Sequence, residues 1–421
     1  MSKIYALVDC NSFFCSCERL FRPDLNKVPV GVLSNNDGCF VSRTPELKKL
    51  GIKMGDPYFK VKDICKKNNV AVFSSNFSLY TNISDRVMKT LSEFTPELEV
   101  YSVDEAFLNL NGFSNIENYA RKIKATVERN TGVPVSIGVG PTKTLAKLAN
   151  HVAKKSIKAD GVVVLLDEFL QTEALRRVKV EDVWGIGRAS TRKLNDIGIR
   201  TALEFRDYKN DRLIKRKFTK VGLQTKEELQ GKPRFNLELT VPKKKEIICS
   251  RTFGDSVTEF EALREAVANY ISSAAEKLRK QGSVCNIIDV YSRTSPFKNT
   301  DQYYAYRSIK MNSSTSDTRR IIRYAMNVLI ELFRSGYEYK KAGVKLSGIT
   351  NKNEAQMSLF EKPDCYKSDV LMKCIDQINS RDGAGTVFIA ECGIQRKAWA
   401  MNRNHKSPRY VTGGSELRRV K

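Results

Sequence analysis

The 421-residue chain carries 72 Lys and Arg against 47 Asp and Glu, a formal charge of +25, and is 41% hydrophobic. This length predicts two to four domains with buried cores, and so basic a protein is expected to bind a polyanion, with nucleic acid favoured over scattered surface charge. No stretch of about 18 apolar residues is present, which argues against a membrane-spanning helix.

The start of the chain and its cysteines bear on where the protein works. Asp9 interrupts the short apolar run near the N-terminus, so the pattern is not that of a signal peptide. The ten cysteines form no CxxC pair and only two histidines accompany them, which argues against a zinc cluster. We therefore expect reduced cysteines and a location inside the cell.

Residues 1–167 alternate strand-like and helix-like patterns. Strands are predicted at 3–10, 97–110 and 133–140, and helices at 78–94, 115–131 and 142–155. This alternation is typical of an α/β or α+β domain built on a central sheet.

Different patterns follow along the rest of the chain. Short helices with basic loops are predicted over 168–231, and the prolines and lysines of 232–246 indicate a linker. Residues 247–349 have the order β-α-β-β-α-β, which is ferredoxin-like. The polar tail, 350–421, is predicted to be partly extended.

The stretch YSVDEAFLNL, residues 101–110, places Asp104 and Glu105 side by side in a strand-like run. A third acid, Asp9, ends the first apolar strand, where a sheet opens to a cleft. Neighbouring strand residues point to opposite faces, so the adjacent pair can approach one site only at a strand end or turn. Gathered carboxylates repel one another unless cations neutralise them, and oxygen ligands suit Mg²⁺. The alternative is that each acid pairs with an arginine or caps a turn.

Several long blocks follow one another along the chain: ALVDCNSFFCSCERLFRPDL, VLSNNDGCFVSR, LGIKMGDPYFK, YSVDEAF, GVGPTKTLAKLANHVAKK, DVWGIGR, EIICSRTFG, RTSPF and the C-terminal SPRYVTGGSELRRVK. In sequence and in order these blocks resemble the Y-family DNA polymerases and, within them, the bacterial UmuC-like branch. The resemblance implies an α+β multidomain, right-hand fold. It would have palm and small fingers at 1–167, a helical thumb at 168–231 and a ferredoxin-like little finger at 247–349.

The resemblance also implies an error-prone, template-directed DNA polymerase for translesion synthesis and SOS mutagenesis in the bacterial cytoplasm. Asp9, Asp104 and Glu105 would be its catalytic carboxylates. They would hold two Mg²⁺ ions, with the carbonyl of Cys10 as a further metal ligand. Two ions about 3.5–4 Å apart clamp the attacking and leaving oxygens in phosphoryl transfer.

Nucleotide contacts are implied in the same way. Phe14 falls at the steric gate that excludes a ribose 2′-hydroxyl, and Phe13 would line the same pocket. Lys154 matches a lysine that binds the triphosphate. Lys48 stands where many relatives have a triphosphate-binding Arg, and Pro45 where they have a Tyr, so the pattern departs from the family here. By residue type alone, Phe14 could equally be a core aromatic and Lys154 a surface lysine.

Residues 183–199, VWGIGRASTRKLNDIGI, resemble a helix-hairpin-helix that binds the DNA backbone. Gly185 and Gly187 would allow close approach, and N–H groups at the helix start that follows, with Arg188, would bind a phosphate. In the little finger, Arg251 is a candidate phosphate contact. The alternatives are an ordinary helix turn and plain surface charge.

The segment QMSLF resembles the short peptide that docks on the bacterial sliding clamp. Gln356 would make polar contacts there, while Leu359 and Phe360 would fill an apolar pocket. The resemblance further implies a processed UmuD dimer and a RecA filament as partners, with the tail beyond 361 as part of that interface.

Two other classes of function stay open from the residues alone. One is a DNA-binding or scaffold subunit without catalysis, which the presence of all three acids disfavours. The other is a different two-metal enzyme such as a nuclease, which the position of Phe14 and the helix-hairpin-helix disfavour.

Overall fold

The computed structural model describes residues 3–355, 364–394 and 399–411. These residues fall into two compact units. The first unit consists of 3–34, 39–241 and 405–411, and the second of 35–38, 242–355, 364–394 and 399–404. The finer division of the chain into palm, thumb and linker stays a prediction.

Strands and helices are interspersed in the first unit up to residue 164, and helices follow them. The strands are β1 (Tyr5–Cys10), β2 (Val30–Leu33), β3 (Phe40–Arg43), β4 (Ala71–Ser74), β5 (Leu98–Val100), β6 (Glu105–Asn109), β7 (Val135–Gly140) and β8 (Val162–Val164). The α-helices are α1 (Phe13–Leu20), α2 (Pro45–Lys49), α3 (Tyr58–Lys67), α4 (Phe77–Ser92), α5 (Ile116–Thr131), α6 (Lys143–Lys155), α7 (Glu168–Arg177), α8 (Arg188–Asn195), α9 (Ala202–Asp207) and α10 (Asp211–Leu229).

Strand β1 is the centre of the main sheet, whose order is β5-β6-β1-β7-β8. All six of its residues are buried, because β6 and β7 pair with it on either side and apolar residues of α4 and α5 share its core. Helix α6 lies so close to β7 that a Cβ at Gly138 would come within 2.0 Å of the backbone nitrogen of Asn150. Glycine therefore permits α6, with its lysines, to pack against this sheet.

A smaller sheet, in the order β3-β2-β4, packs with α2 and α3. Leu33, Phe40 and Leu47 are fully buried in its core. Because β3 ends at Arg43 and α2 begins at Pro45, this sheet places a basic side chain next to the short helix that carries Lys48.

The stretch 97–110 is not the single strand that the sequence predicts. Strand β5 ends at Val100 and β6 begins at Glu105, with a turn between them. In that turn the Ser102 hydroxyl accepts hydrogen bonds from the N–H groups of Asp104 and Glu105, at 3.3 and 3.1 Å. A side chain that satisfies backbone donors locally favours a turn over a continued strand. The two acids therefore lie at a strand start.

The second unit has the predicted β-α-β-β-α-β order. Its elements are β9 (Ile247–Val257), α11 (Phe260–Lys280), β10 (Ser283–Thr294), β11 (Tyr304–Thr315), α12 (Thr318–Leu332) and β12 (Tyr339–Ser347). The sheet order is β11-β10-β12-β9, and all neighbours are antiparallel. Each helix therefore joins two parallel strands that have one strand between them, which is the split βαβ arrangement. A short β13 (Thr350–Asn351) also pairs with β10.

The prediction of a partly extended tail is wrong for residues that form a helix, α13 (Tyr366–Asp382). Arg279 of α11 donates two hydrogen bonds to the Asp376 carboxylate, each 2.7 Å long, and Met372 is buried. The polar composition hid this helix because an ion pair and few apolar residues attach it. From His405 onward the described chain belongs to the first unit again.

None of the ten cysteines, all of which the structure describes, is in a disulfide, and most of them are buried. Burial raises the pKa of the Cys15 thiol to about 12, which keeps it protonated and a poor nucleophile. Within the ranges that the structure describes, no helix has both the length and the apolar character needed to cross a membrane.

Candidate active site

Three acids from two distant parts of the chain lie at one end of the main sheet. Asp9 lies directly opposite Glu105 in the antiparallel register of β1 and β6. The Cys10 N–H donates to the Asp104 carbonyl at 2.9 Å, which ties the next residue of β1 to the third acid. The pairing of β1 with β6 thus gathers the acids that the sequence singles out.

A lysine from α6 holds the first of these acids. The Asp9 carboxylate, with a side chain only 10% exposed, contacts the Lys154 ammonium at 2.5 Å. Burial raises the pKa of Asp9 to about 7 against the lowering effect of Lys154, and Glu105 raises it further. Burial therefore disfavours the ionised form of Asp9, and the charge of Lys154 counteracts this effect.

The other two acids have partners of their own. The Lys147 ammonium contacts the Glu105 carboxylate at 3.1 Å and lies 4.6 Å from the centre of the Tyr101 ring. The Ser102 hydroxyl donates to the Asp104 carboxylate at 2.6 Å. In this arrangement, no group of three His, Cys, Asp or Glu side chains among the described residues is placed to hold a metal ion.

The donor set nevertheless has the chemistry of a divalent-cation site. The carboxylates of Asp9 and Asp104 and the carbonyl of Cys10 are hard oxygen donors, and the three residues line one pocket. The ammonium groups of Lys154 and Lys147 stand where positive charge is needed. Ion pairing, the alternative for the acids, therefore describes Asp9 and Glu105, with lysine rather than arginine as the partner, whereas Asp104 accepts from Ser102.

One pocket of the first unit contains the predicted nucleotide contacts as well. It is lined by Asp9, Cys10, Ser12, Phe13, Phe14, Val41, Ser42, Arg43, Lys48, Met54, Asp104 and Lys154. Glu105 is absent from this lining although it pairs with Asp9 across the strands. The structure therefore brings together two acids, two phenylalanines and two lysines that the sequence proposes separately.

Arg43 is a pocket residue that the sequence prediction missed. Its guanidinium donates to the Ile52 carbonyl at 2.7 Å, and its own carbonyl accepts from the Ser12 hydroxyl at 2.8 Å. Burial lowers the pKa of Lys48, and the neighbouring charges of Arg43 and Lys154 lower it further. Its position as a basic residue at the end of the strand-like FVSR was the one sequence feature that could have indicated a role in the pocket. Three cations in one pocket suit a triphosphate.

Phe14 lies at the pocket rather than wholly in the core. Its ring stacks on the ring of Tyr80, with centroids 4.5 Å apart and planes 13° from parallel. Phe13 is buried, and its ring centroid is 5.9 Å from that of Phe14. The Tyr80 hydroxyl donates to the carboxylate of Glu18, a fully buried residue of α1, at 2.7 Å.

Glu18 is expected to make the stability of the protein depend on pH. Burial raises its pKa to about 7 from an ordinary 4.5, although hydrogen bonds from Tyr80 and Ser407 lower it. The folded carboxyl therefore binds its proton more tightly than the unfolded one, and its contribution to stability is lost as pH rises from 4.5 through 7. Glu18→Gln should flatten this fall, on the order of 2 kcal/mol, in urea unfolding at pH 5 to 8.

The matched control for this prediction is Glu93→Gln, an exposed glutamate at the end of α4. It should keep the wild-type slope of unfolding free energy against pH. Asp9, whose pKa is also raised, remains in both variants, so the difference between them isolates Glu18. Equal slopes for Glu18→Gln and the wild type would contradict the prediction.

The proposed DNA contacts lie outside this pocket. Gly185 has a left-handed backbone, with φ of 86°, and Gly187 precedes the first residue of α8, the exposed Arg188. Arg251 is exposed on β9 of the second unit, where its guanidinium donates to the Ser250 carbonyl at 2.7 Å. The proposed clamp-binding residues, Gln356, Leu359 and Phe360, lie outside the described residues.

Family models match most of the chain. The impB/mucB/samB family matches residues 8–151, and its C-terminal domain matches 244–359. A domain of unknown function (DUF4113) matches 369–420. The first match contains the acids and most of the pocket.

Protein UmuC of Salmonella typhimurium strain LT2 is 44% identical over 99% of this chain and 100% of its own length. The chain belongs to the UmuC branch of the Y-family DNA polymerases. Protein SamB of Salmonella typhimurium is 41% identical over 98% of the chain and 99% of its own length. DNA polymerase IV of Clostridium acetobutylicum is 28% identical over 92% and 98%.

Solved structures of the Y family have the same fold. A Y-family polymerase chimera of Dbh and Dpo4 aligns with a TM-score of 0.65 at 24% identity, covering 82% of this chain and 99% of its own. A Dbh ternary complex aligns with a TM-score of 0.56 at 24% identity, covering 82% and 98%. The predicted multidomain polymerase fold is confirmed, and this Y-family chain is a DNA-directed DNA polymerase. Its relatives place it among the translesion polymerases of SOS mutagenesis.

Proposed function

We propose that this Y-family polymerase adds deoxynucleotides to a primer 3′-end by two-metal phosphoryl transfer, with Asp9, Asp104 and Glu105 as its catalytic acids. The observation that carries the proposal is the shared pocket, in which Asp9 and Asp104 lie with Phe14 and three cationic side chains. As a DNA polymerase, the chain acts on primer–template DNA and deoxynucleoside triphosphates.

Asp9, Asp104 and Glu105, with the Cys10 carbonyl, would hold two Mg²⁺ ions. Bound divalent cations would supply charge neutralisation and activate the primer hydroxyl. The chain itself contributes position: β1 and β6 fix the acids opposite one another, and Cys10 is tied to the Asp104 carbonyl. Asp9 contacts Lys154 in this structure, and a metal held by its carboxylate would take the place of that contact.

The pocket cations would then serve the nucleotide. Lys154, released from Asp9, would bind the triphosphate together with Lys48 and the newly found Arg43. Phe14 would lie against the sugar and leave no room for a 2′-hydroxyl, with Phe13 beside it. Preorganised charge of this kind stabilises a phosphoryl-transfer transition state without covalent chemistry by the protein.

Lys154→Met should lower kcat/KM for deoxynucleoside triphosphates by about 10- to 100-fold, which is the effect of losing one hydrogen bond to a charged group. Single-nucleotide insertion at varied nucleotide concentration measures it. Lys155→Met is the matched control, because the side chain of Lys155 is 68% exposed and lies 3.8 Å from Asp182 rather than in the pocket. An unchanged kcat/KM for Lys154→Met would remove Lys154 from the triphosphate site.

The proposed surface contacts complete the assignment. Gly185, Gly187 and Arg188 would hold the DNA backbone in the thumb, and Arg251 would contact a phosphate in the little finger. The QMSLF segment would bind the sliding clamp, and a processed UmuD dimer and a RecA filament would be further partners. The protein would act in the bacterial cytoplasm.

Primer extension on undamaged and abasic templates tests the proposed function. The reaction contains Mg²⁺, deoxynucleoside triphosphates, sliding clamp, processed UmuD and RecA filament. Extension past the abasic site is the expected result. Tight DNA binding with no extension on either template, in the presence of all these partners, would contradict it.

A further inference from the structure

The end of the described chain is bound into the first unit beside α1. The His405 carbonyl accepts from the Ser74 N–H at 2.9 Å, and the Ser74 hydroxyl accepts from the His405 N–H at 3.0 Å. Further on, the Tyr410 ring stacks on Phe21, just beyond α1, with centroids 4.4 Å apart and planes 3° from parallel. Residues 405–411, here called the C-terminal strap, are thus anchored at two points.

Between these anchors, Ser407 enters a buried polar cluster. Its hydroxyl accepts from the Asn76 side chain at 2.9 Å and donates to the Glu18 carboxylate at 3.2 Å. The same carboxylate oxygen accepts the Tyr80 hydroxyl at 2.7 Å. The second oxygen of Glu18 is buried without a hydrogen-bond partner among the described residues. Two hydroxyls, one of them from the strap, therefore satisfy this carboxyl.

The cluster reaches Phe14 through the ring of Tyr80. Glu18 follows Phe14 by one turn of α1, while Tyr80 lies on α4. Tyr80 bonds to Glu18 and stacks on Phe14, so its position relative to α1 is fixed at two points. A shift of the Tyr80 ring would break its buried hydrogen bond to Glu18. Because Phe14 could tilt toward Tyr80 only if that ring moved away, the hydrogen bond also limits the tilt of Phe14.

We propose that the C-terminal strap positions the steric gate: through Ser407, Glu18 and Tyr80 it holds the Phe14 ring where that ring excludes a ribose. This inference rests on the proposed role of Phe14 at the sugar. Ser407, Glu18 and Tyr80 are positioning residues, because none of them lines the pocket. Their effect reaches the nucleotide only through the angle and rigidity of the gate.

The test is the ratio of ribonucleotide to deoxynucleotide incorporation by the full-length chain with its partners. Ser407→Ala and Tyr80→Phe each remove one hydroxyl and keep the ring stack and the strap anchors. Each variant should raise the ratio about 3- to 10-fold, the effect of one hydrogen bond, while Ser407→Ala keeps deoxynucleotide extension close to wild type. Lys406→Ala changes an exposed side chain of the same strap and should leave the ratio unchanged.

Repeating the measurement in the Phe14→Ala variant distinguishes positioning of the Phe14 ring from general support of the fold. If the strap acts through Phe14, then Ser407→Ala adds nothing to the ratio once Phe14→Ala is present. An equal rise in both backgrounds would overturn the inference. Thermal unfolding verifies that each variant is folded, and Tyr80→Phe provides the result if Ser407→Ala does not fold.

Failure of the inference and failure of the proposed function give different results. If Phe14→Ala raises the ratio but Ser407→Ala and Tyr80→Phe do not, the strap has no part in sugar selection and the gate stands. If Phe14→Ala itself leaves the ratio unchanged, the steric gate is refuted, and the role of the strap falls with it.

Discussion

Replacing Asp104 with Ala should reduce primer extension by about 10³-fold or more while leaving the affinity for primer–template DNA nearly unchanged. The carboxylate of Asp104 lines the pocket and is held by Ser102, so its loss removes charge at the proposed metal site. The backbone carbonyl that accepts from Cys10 is untouched. DNA affinity should persist because the proposed phosphate contacts, Arg188 and Arg251, are not part of this pocket.

Two further variants test whether the loss of activity is due to the charge of Asp104 and is specific to that position. Asp104→Asn keeps the shape of the side chain and should be nearly as inactive, which assigns the effect to charge. Asp85→Asn changes an exposed acid on α4 and should extend primers like the wild type. Wild-type extension by Asp104→Ala would exclude Asp104 from the catalytic centre.

Phe14→Ala should let ribonucleotides enter, raising their incorporation relative to deoxynucleotides by about 10²-fold. The ring is supported by Tyr80 on one face and lines the pocket that contains Asp9 and Asp104. Its removal opens space where a 2′-hydroxyl would otherwise meet the ring. Competition between matched ribo- and deoxynucleoside triphosphates on one template measures the change.

The control for sugar selection is Phe59→Ala, which removes an aromatic side chain that is 75% exposed on α3. It should keep the wild-type ratio of incorporation. Deoxynucleotide extension by Phe14→Ala must remain measurable, since the acids and cations of the pocket are unchanged. Retained discrimination in Phe14→Ala would assign Phe14 to the core, the alternative left open by its residue type.

Local sequence patterns were sufficient to predict the strands and helices that carry the site residues. The apolar run before Asp9 predicts a buried strand, and β1 spans Tyr5–Cys10 at the centre of the main sheet. The β-α-β-β-α-β order of the second unit followed from strong periodicity in long segments. The meeting of Asp9 with Glu105, however, depends on a strand register that the sequence does not contain.

The features that the sequence analysis did not predict each have a physical cause in particular residues. The strand predicted over 97–110 is broken because the Ser102 hydroxyl satisfies two backbone N–H groups. Helix α13 was missed because the Arg279–Asp376 pair helps attach it to the second unit. Glu18 and Ser407 are common polar residues, and only tertiary packing makes them partners.

The C-terminal strap also sets the order in which this polymerase is completed during its synthesis. Ser407 bonds to Glu18 across 389 positions of the chain. At about 5–20 residues per second, the ribosome adds the strap on the order of tens of seconds after the helices it contacts. Until then a newly made catalytic unit lacks one of the two hydroxyls that satisfy its buried carboxyl. If the strap positions Phe14 as proposed, the Ser407 hydroxyl joins this cluster only after Glu18 and Tyr80 have been made.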